Sequence, residues 1–144
     1  MNARRGLVLA LGAALLVAPP HSFAQQQAKV WRIGFLSPRR RPPSLDSDYY
    51  GAFPRRMNEL GFVEGKNLII EWRFANGEYE RLPGMAAELV QLKVDAIMAL
   101  GPPGVTAAQK ATTTIPIVMV VSADPVGAGF VKSLAQPGGN ITGL

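Results

Sequence analysis

Short apolar runs alternate with helical patterns along most of this chain, and that alternation restricts the possible folds more than any other feature. Residues 30–36 (VWRIGFL) are rich in strand-forming residues and nearly continuously apolar, as in a strand buried on both faces. After them, Tyr50, Phe53 and Met57 recur at the spacings of a helix with one buried face. Strands that alternate with helices over short connections indicate a parallel sheet with right-handed crossovers. The sequence therefore predicts an α/β fold, an open doubly wound parallel sheet.

The same patterns give the bounds of the predicted elements. Strands are expected at residues 30–36, 67–74, 96–100 and 117–121, with a last strand that begins at Ile141. Helices are expected at residues 46–60, 79–92, 103–112 and 127–134. Gly61 suits the end of the first helix, and Asp124 can cap the start of the last one. A chain of 144 residues with this content corresponds to one domain or to part of one.

Pro54 lies inside the first predicted helix. Proline has no amide hydrogen to donate, and its ring would clash with the carbonyl group of Tyr50, one turn earlier. We therefore expect this helix to be kinked or broken in its first half.

The first 24 residues have the three zones of a secretory signal peptide. Arg4 and Arg5 give the first zone a positive charge, and residues 7–18 are apolar without a charge. That apolar stretch has 12 residues, against about 20 needed to span a bilayer. The sequence therefore predicts a cleaved signal peptide at residues 1–24 and an exported mature protein.

Composition excludes several kinds of site. The chain contains no cysteine, which removes disulfides, thiolate zinc sites, iron–sulfur clusters and cysteine nucleophiles. His21 is the single histidine, so a histidine pair for a metal and an evident general base are both missing. The sequence predicts no metal site and no cofactor.

The positive charge of the chain is concentrated rather than spread over a surface. The formal net charge is +5, but Arg4 and Arg5 lie in the signal peptide and residues 39–41 form one arginine run. Proteins that bind nucleic acids usually have a broader basic surface interleaved with aromatic residues. We therefore expect no nucleic-acid partner.

Small and polar residues follow the predicted strands at their carboxyl ends, where ligands gather in open parallel sheets. They are Ser37 and Pro38, Ala75 and Asn76, Gly101 and Pro102, and Ser122 to Asp124. None of these positions offers a catalytic set, since the serines lack an evident base and a G-x-S-x-G elbow. The first loop also lacks the glycine patterns of dinucleotide and P-loop sites. The sequence predicts no catalytic residue.

Several segments of the mature chain resemble one protein family. They are WRIGFLSP, LGFVEGKNLIIEWRFANGEYERLP, AAELVQLKVDAIMALG, ATTTIPIVMV and DPVGAGFVKSLAQPGGNITGL. In this order they are similar to the substrate-binding proteins of bacterial ABC transporters with a type I periplasmic-binding fold. Within that family they resemble the branch related to binders of tryptophan and other aromatic amino acids. The resemblance extends over residues 30–144.

The resemblance implies a protein of two lobes with the ligand between them. Residues 25–144 would form the N-terminal lobe, and the second lobe would be missing from this sequence. In similar proteins the first lobe contacts the ligand through the loops after strands one, three and four. On this chain those loops hold Ser37, Pro38, Gly101, Pro102, Ser122 and Asp124.

One loop departs from the pattern of similar proteins. Where they commonly have Gly-Thr-Pro-Ala, this chain has Gly101, Pro102, Pro103 and Gly104. A hydroxyl group and a backbone N–H donor are therefore lost at the position of Pro102.

The resemblance implies a periplasmic solute-binding component of an ABC transporter rather than an enzyme. It would bind a small molecule, with amino acids among the candidates, and deliver it to an ABC permease in the inner membrane. Two alternatives stay open at this point. One is an exported α/β enzyme whose catalytic residues lie in missing sequence, and the other is a truncated fragment without function.

The exported protein is predicted to begin at Gln25. Ser22 and Ala24 are the small residues that a signal peptidase requires three residues and one residue before the cleaved bond. The intact mass of protein from the periplasm should therefore correspond to a chain that starts at Gln25. A mass that includes residues 1–24 would contradict the prediction.

Overall fold

A computed structural model describes residues 29–46 and 48–143 of the chain. The predicted signal peptide, residues 1–24, and the cleavage site between Ala24 and Gln25 lie outside the described residues. Within the described part, no helix combines the length and the apolar character needed to cross a membrane.

In the described residues, eight regular elements follow one another in the order that the sequence predicts. They are β1 (Trp31–Ser37), α1 (Asp48–Glu59), β2 (Leu68–Phe74), α2 (Leu82–Gln91), β3 (Ala96–Leu100), α3 (Gly101–Ala111), β4 (Ile117–Val120) and β5 (Ile141–Gly143). A short 3₁₀ turn, Tyr79–Arg81, leads directly into α2. All five predicted strands and the first three predicted helices are present.

The strands form one parallel sheet in the order β2-β1-β3-β4-β5. β1 pairs with β2 along its whole length, so that Ser37 lies opposite Phe74. On its other side β1 pairs with β3, where Leu36 lies opposite Ala99. The strand order reverses between β1 and β3, and ligands of open α/β sheets bind beside such a point. The predicted fold class is confirmed.

β1 separates two hydrophobic cores. On one face Phe35 packs with Tyr50 of α1 and with Trp72 and Phe74 of β2, and its ring centroid lies 4.6 Å from that of Trp72. On the other face the fully buried Leu36 belongs to the core formed with α2 and α3. The domain therefore has three layers, with α1 on one side of the sheet and α2 and α3 on the other.

Gly34 allows α2 to approach β1 closely. A methyl group at this position would lie 2.9 Å from Cδ1 of Leu89, a fully buried residue of α2. Non-bonded contacts this short are essentially never seen, so a larger residue would require the Leu89 side chain or α2 itself to shift.

The prediction of a helix at residues 127–134 is wrong. Residues 125–129 form turns instead, and the side chain of Asp124 accepts a hydrogen bond of 2.7 Å from the amide of Gly127. Gly129 has a positive φ of 73°, which an α-helix does not tolerate. Asp124 is thus a cap, as predicted, but it caps a turn.

The break expected in the first helix does not occur, because α1 runs through Pro54 from Asp48 to Glu59. Tyr50 is buried in the aromatic core, and Phe53 and Met57 pack against the same core from the following turns. Burial of these side chains holds the helix together although Pro54 leaves the carbonyl of Tyr50 without its helical donor.

Replacing Pro54 by Leu or Gln should stabilise the domain, because it restores the missing hydrogen bond and removes the clash of the ring. The expected gain in the free energy of unfolding is about 3 kcal/mol, measured by urea denaturation. Pro43→Leu, in the exposed loop before α1, is the matched control and should give no comparable gain. An unchanged denaturation midpoint for both Pro54 variants would mean that the helix carries no strain there.

A small charged cluster joins the amino ends of β1 and β3. The carboxylate of Asp95 accepts hydrogen bonds from the Nζ of Lys29 at 2.6 Å and from the backbone amide of Arg32 at 2.9 Å. The hydrogen bond from Lys29, followed by that from the Arg32 amide, lowers the pKa of Asp95 below its ordinary value of 3.8. The ionised carboxylate therefore stabilises the folded state.

Asp95→Asn should destabilise the domain near neutral pH, where the native carboxylate is ionised. The contribution of Asp95 is complete above the unfolded pKa of 3.8 and is lost as the pH falls through the lower folded pKa. Denaturation at about pH 7 and about pH 2 should therefore show a difference from the parent only at the higher pH. Glu59→Gln, which removes an exposed ion pair with Arg56, is the control and should have little effect at either pH.

Candidate functional site

The carboxyl ends of β1, β2 and β3 lie at one edge of the sheet and border an open cleft of about 740 Å³. Its walls are the loops that follow these three strands, together with Val121 after β4. This is the edge at which open parallel sheets bind ligands, beside the point where the strand order reverses.

Hydrogen bonds join the loop after β1 to the loop after β2. The amide of Gly77 donates to the carbonyl of Pro38 at 2.8 Å, and the amide of Asn76 donates to the carbonyl of Arg39 at 3.1 Å. In return, the amide of Arg41 donates to Oδ1 of Asn76 at 3.0 Å. Asn76 and Gly77 have positive φ angles of 57° and 89°, which reverse the chain at this point. The backbone of this wall is therefore fixed.

Ser37 lies beneath the wall and not on its surface. Its side chain is completely buried, and its Oγ accepts a hydrogen bond of 3.1 Å from the amide of Arg39. Its carbonyl accepts a further hydrogen bond, of 2.8 Å, from the amide of Ala75. In this structure the hydroxyl of Ser37 holds the loop that carries the next residues.

Three charged side chains line the cleft near these loops. Arg39 and Arg40 are both exposed, and neither guanidinium group forms an ion pair with a side chain that the structure describes. The third is Glu78, whose carboxylate forms an ion pair with the guanidinium group of Arg81 at 3.8 Å, beyond hydrogen-bond length. Tyr79 adds an aromatic ring that is 57% exposed. The cleft therefore offers charges of both signs and one aromatic surface.

The start of α3 forms the opposite wall. Gly101 has a φ of 66°, a left-handed conformation that favours glycine, and Pro102 and Pro103 follow it in the first turn. An ordinary helix offers unpaired N–H groups at these positions, but proline has none. This wall therefore gives a ligand fewer backbone donors than most helix N-termini do.

The structure brings Pro38, Gly101 and Pro102 together in the cleft. Ser122 instead lines a separate pocket of about 310 Å³. The carboxylate of Asp124 accepts the hydrogen bond from the amide of Gly127 in the following turn. Neither of these two residues lines the larger cleft. The role of the six predicted residues in ligand binding stays a prediction.

Sequence reasoning placed Asn76 at this edge of the sheet but missed four other side chains that give the cleft its chemistry. These are Arg39, Arg40, Glu78 and Tyr79. They follow β1 and β2, and their common location depends on the direct pairing of those two strands. The signal that could have found them is the Asn-Gly turn after β2, placed beside the arginine run by parallel pairing.

The cleft can hold a small polar molecule by charge and hydrogen bonding. Residues that carry guanidinium, carboxylate, amide and phenol groups line the same space. In residues 29–46 and 48–143, no three His, Cys, Asp or Glu side chains are grouped so that they could hold a metal ion.

Comparison with protein families gives a match over most of the described chain. A family model for ABC transporter substrate binding protein matches residues 41–144. Among curated proteins, a tyrosine-binding protein of Clostridioides difficile (strain R20291) is 40% identical over 101 residues. That alignment covers 70% of this chain and 29% of the relative.

Solved structures show the same fold. A ligand-free, open structure of a substrate-binding protein with adhesive properties from Clostridium difficile has a TM-score of 0.71 at 34% identity, over 79% of this chain and 38% of that one. A conserved domain protein from Vibrio cholerae has the same TM-score and identity, over 80% of this chain and 38% of its own. A domain in complex with L-Trp from Streptococcus pneumoniae has a TM-score of 0.68 at 31% identity, with coverage of 79% and 38%.

The matched region is therefore a part of the relatives. The chain spans 29% of the length of the curated relative and 38% of each of these solved structures. The family model nevertheless covers well over half of this chain, and the shared parallel sheet carries the cleft described above. The chain belongs to the ABC transporter substrate-binding protein family.

Proposed function

We propose that this chain is the first lobe of a solute-binding protein that binds an amino acid and delivers it to an ABC permease in the inner membrane. The observation that carries the proposal is the open cleft at the carboxyl ends of β1, β2 and β3. The cleft lies at the edge where open parallel sheets bind ligands. Its charged and polar groups can hold a ligand, but they form no evident pair for acid–base catalysis.

The charges in the cleft suit the two ends of an amino acid. A guanidinium group such as that of Arg40 can bind a carboxylate with paired hydrogen bonds, and Glu78 can accept hydrogen bonds from an ammonium group. The relatives support the same ligand class, since one is a tyrosine-binding protein and another was solved with L-Trp. Binding rather than catalysis is the role of these proteins.

The proposed protein has a second lobe that closes over the ligand. The cleft of this chain is open on one side, and small ligands bind tightly when most of their surface is buried. We therefore assign residues 25–144 to the N-terminal lobe, with Pro38, Gly101 and Pro102 on its ligand-facing wall. Ser122 and Asp124 would contact the ligand or the second lobe at the end of β4.

The proposed site of action is the periplasm. Export would depend on the signal peptide proposed at residues 1–24, which has the charge and the apolar length of a cleaved signal. A binding protein needs this location to take up solute and to contact a permease.

Tight binding should require both lobes, because one wall does not bury enough of the ligand to offset the cost of immobilising it. We would titrate residues 25–144 by calorimetry with tryptophan, tyrosine, phenylalanine and branched amino acids. A chimera that adds the second lobe of the C. difficile relative serves as the comparison. The lobe alone is expected to show no sub-micromolar affinity, and the chimera is expected to bind much more tightly.

Two results would count against this scheme in different ways. Sub-micromolar binding by the lobe alone, abolished by Ser122→Ala and Asp124→Ala, would show that one wall suffices. A chimera that folds but binds no amino acid would contradict the proposed ligand class.

A further inference from the structure

We propose that the cleft selects acidic amino acids: Arg39 and Arg40 bind the two carboxylates of the ligand, and Glu78 binds its ammonium group. This inference rests on the proposed function and names the class of amino acid. It follows from the placement, the availability and the number of the charges in the cleft.

The arginine run is held in place by its backbone. The carbonyl of Arg39 accepts the amide hydrogen of Asn76, and the carbonyl of Pro38 accepts that of Gly77. The amide of Arg39 is itself bonded to the buried Oγ of Ser37. Because the backbone of the loop is fixed before a ligand arrives, little backbone conformational entropy is lost when its side chains bind.

The three arginines of the run have different surroundings. Arg41 lies with its guanidinium group 5.5 Å from the ring centroid of Phe74 and does not line the cleft. Arg39 lines the cleft and has its guanidinium group 5.6 Å from the ring centroid of Tyr49. A guanidinium group stacked on an aromatic ring keeps the N–H groups at its edge available.

Arg40 is the arginine with the most available charge. It is exposed, lines the cleft, and within the described residues its guanidinium group has neither an ion pair nor a hydrogen bond nor an aromatic ring beneath it. Elsewhere in the described sheet, cations such as Arg32 and Arg73 are paired with Glu71. The guanidinium group of Arg40 is therefore available to a ligand in the cleft.

The number of charges matches an acidic amino acid. The cleft presents two guanidinium groups and the carboxylate of Glu78, which forms a long, exposed ion pair of 3.8 Å with Arg81 but no hydrogen bond to it. Glutamate and aspartate carry two carboxylates and one ammonium group, the opposite set. A neutral amino acid would leave one guanidinium group without a partner, so the second carboxylate provides the selectivity.

Glutamate and glutamine are the sharpest pair of probes, because they have the same shape and differ in one negative charge. The full chain, labelled with ¹⁵N, is titrated with each amino acid up to about 10 mM and followed by its amide NMR spectrum. This concentration range detects weak binding to a single lobe. The amides of Gly77 and Gly101 report on the two walls of the cleft. Glutamate is expected to bind about tenfold more tightly than glutamine, the effect of one charge-assisted hydrogen-bonded pair.

Arg39→Gln and Arg40→Gln should separate the two carboxylate sites. One of these arginines is expected to bind the side-chain carboxylate of glutamate, and its replacement should abolish the preference for glutamate over glutamine. The other variant should lower the affinity for glutamate and for glutamine by the same factor, because both ligands carry the α-carboxylate. Arg41→Gln is the matched control from the same run and should leave both affinities unchanged, and unchanged dispersion of the amide spectrum confirms that each variant is folded.

Each outcome has one meaning. Equal affinity for glutamate and glutamine, or a preference that survives in both Arg39→Gln and Arg40→Gln, overturns selectivity for acidic ligands and leaves amino-acid binding in place. Tighter binding of tyrosine or tryptophan than of glutamate likewise overturns selectivity for acidic ligands and leaves amino-acid binding in place. If no amino acid shifts Gly77 or Gly101, the inference of acidic selectivity fails, and the titration of the two-lobed chimera decides separately whether the proposed function fails.

Discussion

Because β1 is buried on both faces, it has one register and one orientation in the sheet. Phe35 fills the aromatic core on one side, and Leu36 fills the aliphatic core on the other. Gly34 between the layers leaves room for Leu89 and sets the distance to α2. A slip of β1 by one residue would exchange these side chains between two cores of different shape. The positions of β2 and β3, which pair with it, follow from this strand.

The cleft depends on the same strand. Since β1 lies between β2 and β3, its carboxyl end delivers the chain to the point where the strand order reverses. Pairing with β2 places the arginine run beside Asn76, and pairing with β3 places it opposite the start of α3. One wall of the cleft thus carries cations and hydrogen-bonding groups, while the other, at Pro102, carries few donors.

The alternation of patterns allowed the sheet and three helices to be predicted, because burial on one or two faces leaves a direct mark on the sequence. The segment at residues 127–134 was mispredicted because its glycines permit turns, and Gly129 adopts a left-handed conformation there. Ser37 was expected in a loop, but it is the last residue of β1 and shares the buried face of Phe35. The charged residues of the cleft needed the strand order, which local patterns do not contain.

The hydrogen bonds that join the two loops of the cleft divide its residues into two groups. Arg39 takes part through main-chain atoms and Arg40 does not take part, whereas Ser37 and Asn76 contribute their side chains. A main-chain hydrogen bond survives a change of side chain, so the arginines can be exchanged while the loop keeps its shape. Evolution can therefore alter the charge that this wall presents by single mutations, without cost to the fold, as long as Ser37 and Asn76 are retained.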